Sequence, residues 1–205
     1  QDGRKNRPDP QHHAIRGRPA ESLDLRHRVG GVYPDGKHPQ EPSEQGLAAG
    51  MALPSGWLGQ ADNFLGIDEP WCHPDQAGVY VLPAPYEHTS SYILGSDRGP
   101  SAIIEASQQV ELYDEQLRYE PYREWGGVAT AATLNLAGRV DGQAVQAIQE
   151  FVAPHVGRGK FLVTLTGEHT GALGAIRAHA QAYPGMNVVQ IDAHGDLRQA
   201  YQDNP

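Results

Sequence analysis

Two short stretches concentrate the groups that can ligate a metal or move a proton: Gly167-Glu168-His169-Thr170 and Asp192-Ala193-His194-Gly195-Asp196. Each directly follows an apolar run, Phe161–Leu165 (FLVTL) or Val188–Ile191 (VVQI). Three titratable side chains within five residues give a sheet no packing benefit, so a purely structural reason for Asp-x-His-x-Asp is hard to find. In an extended chain, residues at i, i+2 and i+4 share one face. In open α/β sheets, sites form at the carboxyl ends of strands. His169 is therefore expected to converge with Asp192, His194 and Asp196 from two neighbouring strand ends. Clustered carboxylates are costly to bury unless a cation satisfies them. Oxygen and nitrogen donors without thiolate suit Mn²⁺, and also Zn²⁺, Fe²⁺ or Co²⁺. Carboxylates that can bridge suit two ions about 3.5–4 Å apart that activate a shared water. Isolated histidines such as His88 and His179 read as ordinary hydrogen-bonded side chains.

The elements that must position these groups alternate between strand and helix. Gly78–Pro83 (GVYVLP) reads as a buried strand closed by Pro83 and Pro85. Tyr86–Gly99 is polar and glycine-containing, hence a loop. Pro100–Val110 suits a helix with Pro100 in its first turn and Ile103, Ile104 and Ser107 towards one face. Val128–Leu136 is a short strand or a loop. Asp141–Val152 places Val145, Ile148 and Val152 on one helical face, with Asp141 as its cap. Phe161–Leu165 and Val188–Ile191 read as strands, and Thr170–Tyr183 between them as a helix stopped by Pro184-Gly185. Strand, helix, strand is a βαβ unit, which implies a parallel sheet and an α/β fold.

Composition separates the chain into unlike parts. Of the 205 residues, 1–50 hold eight of the sixteen Lys and Arg, six of the sixteen Pro and only eleven apolar residues. Such a segment cannot bury enough surface to offset its ordering entropy. Residues 1–50 are expected to be disordered, or a non-native extension before a start at Met51. Residues 51–205 carry eight basic and eighteen acidic side chains, a net charge of −10. That balance argues against a nucleic-acid surface and suits a cationic substrate. No run approaches the ~20 apolar residues of a membrane helix. The N-terminus shows no basic-then-apolar signal pattern, so a cytoplasmic location is expected. The single cysteine, Cys72, excludes an internal disulfide framework.

Gly167-Glu168-His169-Thr170 followed by Ile191-Asp192-Ala193-His194-Gly195-Asp196 resembles the ureohydrolases, the arginase/agmatinase family. Their motifs run G-G-[DE]-H-[ST] and D-A-H-x-D. The loop from Tyr86 and the helix start Gly99-Pro100-Ser101-Ala102-Ile103 resemble the family's early loop and its G-P-x-A-I helix. Asp196-Leu197-Arg198 with Tyr201 resembles the agmatinase branch. The resemblance, covering roughly Val79 to Pro205, implies a three-layer arginase-like α/β fold with a parallel sheet. It implies that His169 and Asp196 bind a first Mn²⁺, that His194 binds a second, and that Asp192 bridges them. The implied reaction is attack of activated water on a guanidinium carbon, giving urea and an amine. Agmatine, yielding putrescine and urea, is the substrate the resemblance favours. Glu168 is not a ligand in this picture and hydrogen-bonds around those that are. Oligomers are common in the family, so self-association is implied.

The sequence also departs from the family pattern. Thr166 stands where the first motif usually begins with glycine, and His88 stands where many relatives have a small residue, in a loop that could reach a substrate. The family's S-x-D-x-D-x-x-D-P motif, which supplies two further aspartates, is absent after Asp196, as is the downstream histidine of proton transfer. The expectation is a chain truncated at its C-terminus, binding Mn²⁺ weakly and releasing essentially no urea itself. No catalytic residue beyond the ligands is therefore assigned. Rival readings are another guanidino-acid ureohydrolase, a binuclear phosphoesterase lacking its usual companion motifs, an amidohydrolase on an arginase-like scaffold, against which His194 and Gly167-Glu168-His169-Thr170 speak, and an inactive relative kept as a partner subunit.

Overall fold

A computed structural model describes residues 52–196. The expectation of a disordered segment before Met51 concerns residues outside those described. Among the described residues three strands form a parallel sheet: β1 (Val79–Ala84), β2 (Val128–Thr130) and β3 (Phe161–Thr166), in the order β2-β1-β3. All six residues of β1 pair with β3, from Val79↔Phe161 to Ala84↔Thr166, so the two strands end level. Four helices accompany them: α1 (Gly99–Ser107), α2 (Pro121–Glu124), α3 (Asp141–Val152) and α4 (Ala172–Ala182).

The alternation of β1 explains the layering. Successive side chains point to opposite faces, and β1 is buried on both, as a parallel strand between helical layers must be. Tyr80, Leu82 and Ala84 join Ala144, Ala147, Ile148 and Val152 of α3 and Ala178 of α4. Val81 joins Val128, Ile67, Cys72 and Tyr122 on the other side. The α1 helix lies on that second side, where the Ser107 hydroxyl accepts the Leu65 N–H at 2.8 Å. The result is the α/β, three-layer arrangement expected from the sequence. Among the described residues no helix is long and apolar enough to cross a membrane.

The α3 and α4 helices pack unusually closely because of Gly174. A Cβ there would lie 2.6 Å from the Val145 carbonyl oxygen and 2.7 Å from Ile148 Cβ. This contact seats α4 directly against α3.

Several expectations need correction. Val188–Ile191 is not a strand; it joins no ladder, and Val189 and Ile191 are 85% and 98% exposed. A short apolar run gains nothing from extension without a neighbouring strand and a covering layer, and among the described residues it has neither. The βαβ unit around α4 is therefore not formed; the parallel pairs observed are β1 with β2 and β1 with β3. The α1 helix stops at Ser107 rather than Val110, and Ile103 faces solvent while Ile104 and Ser107 are buried. Asp141 is the first residue of α3 rather than its cap, a position that falls to Val140. Val128–Leu136 resolves into the three residues of β2 followed by loop.

Candidate metal centre

At the end of β3 the chain turns sharply through Gly167. A Cβ on Gly167 would stand 2.8 Å from the Asp97 nitrogen and closer still to the Tyr86 carbonyl oxygen. Only glycine lets this turn meet the loop that follows β1. Thr166, at the last strand position, keeps its hydroxyl buried and without a hydrogen-bond partner; the hydroxyl fills the space a Cβ on Gly171 would occupy. His169 opens a 3-10 turn, His169–Gly171, that runs directly into α4.

Asp192 and Asp196 reach the same place from the segment after α4. His169 Nδ1 lies 3.6 Å from Asp192 Oδ2 and 3.6 Å from Asp196 Oδ2. Among the described residues this is the one group of three or more His, Cys, Asp or Glu side chains gathered closely enough to share an ion, with donor atoms all within 4.8 Å of one another. Donors held about 2.1 Å from a single ion lie at most about 4.2 Å apart, so the group needs to close by only a fraction of an ångström. Two carboxylates and one imidazole form a mixed hard and borderline donor set, which fits a divalent cation.

His194 stands apart from these three. Its side chain is 82% exposed, but its Nδ1 is 3.8 Å from Asp192 Oδ1, and its N–H donates to the same oxygen at 2.9 Å. The expected extended chain is replaced by a bend over 192–194, and Asp196 takes a left-handed backbone with φ 47°. Asp192 and Asp196 thereby converge while His194 turns to the other side of Asp192. The His194 N–H holds the Asp192 carboxyl below its ordinary pKa; the imidazoles of His169 and His194 act in the same direction, and partial desolvation acts against them. Gln190, unassigned in the sequence reading, donates from Nε2 to Asp196 Oδ2 at 3.2 Å and to the His194 carbonyl at 3.4 Å. Its one sequence signal was being the single polar residue in VVQI.

The remaining candidates fall elsewhere. Glu168 turns its carboxylate to the loop after β1, accepting the N–H of His88 and of Thr89 at 2.8 Å each and the Thr89 hydroxyl at 2.8 Å. The His88 ring lies 3.8 Å from Asp141, outside the three-residue group. His179 contacts the Ala175 carbonyl at 2.8 Å along its own helix. A recess of about 190 Å³ opens at the other end of β3, beside Lys160, His179 and Tyr183. The Lys160 ammonium is already committed there to the carbonyl oxygens of Asp75 and Ala77.

Comparison with known proteins places this geometry in context. The model of the family described as "Arginase family" matches residues 77–205. An N(1)-aminopropylagmatine ureohydrolase from Synechocystis is 42% identical over 131 residues, covering 62% of this chain and 42% of that protein. An agmatinase from Bacillus anthracis is 31% identical over 139 residues, covering 65% of this chain and 46% of that protein. The chain thus spans less than half the length of these relatives. A crystal structure from Clostridium difficile, assigned as an agmatinase, superposes with a TM-score of 0.58 at 22% identity, over 63% of this chain and 46% of that one. That likeness supports the fold.

Proposed function

Because this chain belongs to the arginase family, we propose that it carries part of a binuclear manganese centre that hydrolyses a guanidino compound to urea and an amine. The observation that carries this reading is the placement of Asp192. Its Oδ2 faces His169 and its Oδ1 faces His194, the arrangement a carboxylate needs in order to bridge. His169, Asp192 and Asp196 would hold one Mn²⁺, and His194 with Asp192 the other. A guanidinium is resonance-stabilised and a poor electrophile; two divalent ions, when bound, supply a water of lowered pKa.

The protein's own groups prepare the site for that chemistry. The His194 N–H favours the ionised form of Asp192. Gln190 orients Asp196. The acidic balance of residues 51–205 attracts a cation. Self-association and a cytoplasmic location belong to the same proposal.

Agmatine is the first substrate reading. A second, N(1)-aminopropylagmatine, is favoured by one observation: the Synechocystis protein of that name is 42% identical, whereas the Bacillus anthracis agmatinase is 31% identical. The test is urea release by the whole protein with Mn²⁺, offered agmatine, N(1)-aminopropylagmatine, guanidinobutyrate and arginine in turn. Release from one of the first two supports the proposal. Release from none, with Mn²⁺ bound, favours an inactive partner subunit.

A further inference from the structure

We propose that Glu168 is a positioning residue: its carboxylate latches the loop from Tyr86 to Gly99 onto the turn that carries His169, so that this loop forms one side of the space where a guanidino substrate is held. The substrate half of this statement rests on the function proposed above; the latch does not.

Both carboxylate oxygens of Glu168 are engaged by the loop. Oε2 accepts the N–H groups of His88 and Thr89, and Oε1 accepts the Thr89 hydroxyl, each at 2.8 Å. Three converging donors call for a group that only accepts, which an ionised carboxylate does. Bonds of this kind, with an ionised acceptor, are stronger than neutral ones. The backbone adds a fourth tie, the Glu168 N–H to the Tyr86 carbonyl at 2.8 Å. Gly167 allows the approach, since any side chain there would strike Tyr86 and the Ser96-Asp97 peptide.

The far side of the loop is braced by a second carboxylate. Glu87 Oε2 accepts the Gly95 N–H at 2.7 Å, which ties the two arms of the loop together. The loop is therefore held at its root and across its neck, while Tyr92, Ile93 and Leu94 at its tip stay largely exposed. An apolar tip on a braced loop is surplus to the fold and suits contact with the hydrocarbon part of a ligand. Glu168 is the neighbour of His169 in the chain, so the loop and the candidate ligand turn are registered to each other through one residue.

The experiment compares the wild-type chain with Glu168→Gln in three measurements: amide exchange without metal, Mn²⁺ affinity, and affinity for agmatine with Mn²⁺ present. The glutamine has one acceptor oxygen and places an NH₂ against the donors. Exchange at His88 and Thr89 should quicken by about tenfold or more, with α3 amides unchanged. Mn²⁺ affinity should stay within about threefold, and agmatine affinity should fall by about tenfold. A purely structural residue would lower α3 protection and leave agmatine affinity intact. Unchanged exchange at His88 and Thr89 overturns the latch. A tenfold loss of Mn²⁺ affinity with no further loss for agmatine shows instead that Glu168 acts on His169, and also overturns the proposal. If the variant loses its α3 protection, Thr89→Ala, which removes only the hydroxyl donor, must shift the same amides in the same direction; no shift is a refutation. A wild-type chain that binds no Mn²⁺ contradicts the proposed function and the substrate half with it, while exchange in the metal-free protein still decides the latch.

Discussion

Asp192 lies between the imidazoles of His169 and His194 and accepts the backbone N–H of His194, which favours its ionised form. A second carboxylate shows the same principle more strongly. Glu87 Oε2 accepts the Gly95 N–H, and this bond above all lowers its pKa from an ordinary 4.5 to about 2. A carboxyl with a depressed folded pKa contributes stability that is complete above its unfolded value and is lost as pH falls through the folded one. Protection of the Gly95 amide should therefore be full above pH 4.5 and disappear as the pH approaches about 2. Amide exchange across that range tests this, and Glu87→Gln should abolish the pH dependence; a variant that keeps it would show that another group braces the loop. Asp192, His194 and Asp196 stand out in the sequence because three titratable residues in five have no use in a core. The separate placement of His194 was not legible there, because it depends on a bend and on the left-handed backbone of Asp196. The contact of Glu168 with His88 and Thr89 was also invisible, since about eighty residues separate the partners.

At the scale of elements, α4, whose preceding turn begins at His169, packs closely against α3. Gly174→Ala would gain about 0.5–1 kcal/mol of helix propensity and lose about 1–3 kcal/mol by overpacking against the Val145 carbonyl and Ile148. The net effect is a loss, read as a lower denaturation midpoint in urea; an equal or higher midpoint would mean that the helices separate freely. The end of α3 makes a different prediction. His155 packs among Trp57, Tyr80 and Phe151, and burial, with Arg158 nearby, lowers its pKa. For a base with a depressed folded pKa, the unfolded chain binds more protons, so stability is lost as pH falls below about 6.5. His155→Gln should flatten the pH dependence of the urea midpoint in that window; an unchanged slope would assign it to other groups. The α3 helix and the two long strands were legible from periodicity, and their observed bounds differ from the sequence reading by at most one residue at either end. The run Val188–Ile191 was misread as a strand because an apolar run does not record whether a partner strand is present beside it.

The described residues combine an α/β body with a group of ligand-type side chains near the carboxyl end of β3. Membership of the arginase family accounts for the fold. The donor atoms of His169, Asp192 and Asp196 lie within 4.8 Å of one another. The most direct test is a titration of the 205-residue chain with Mn²⁺, followed by the electron paramagnetic resonance signal of the free ion, in the wild type and in Asp192→Ala. The account predicts saturable uptake by the wild type and a loss of affinity of about a hundredfold or more in the variant, because the ligand between His169 and His194 is gone. Uptake that is absent from the wild type, or equal in the two proteins, would contradict it.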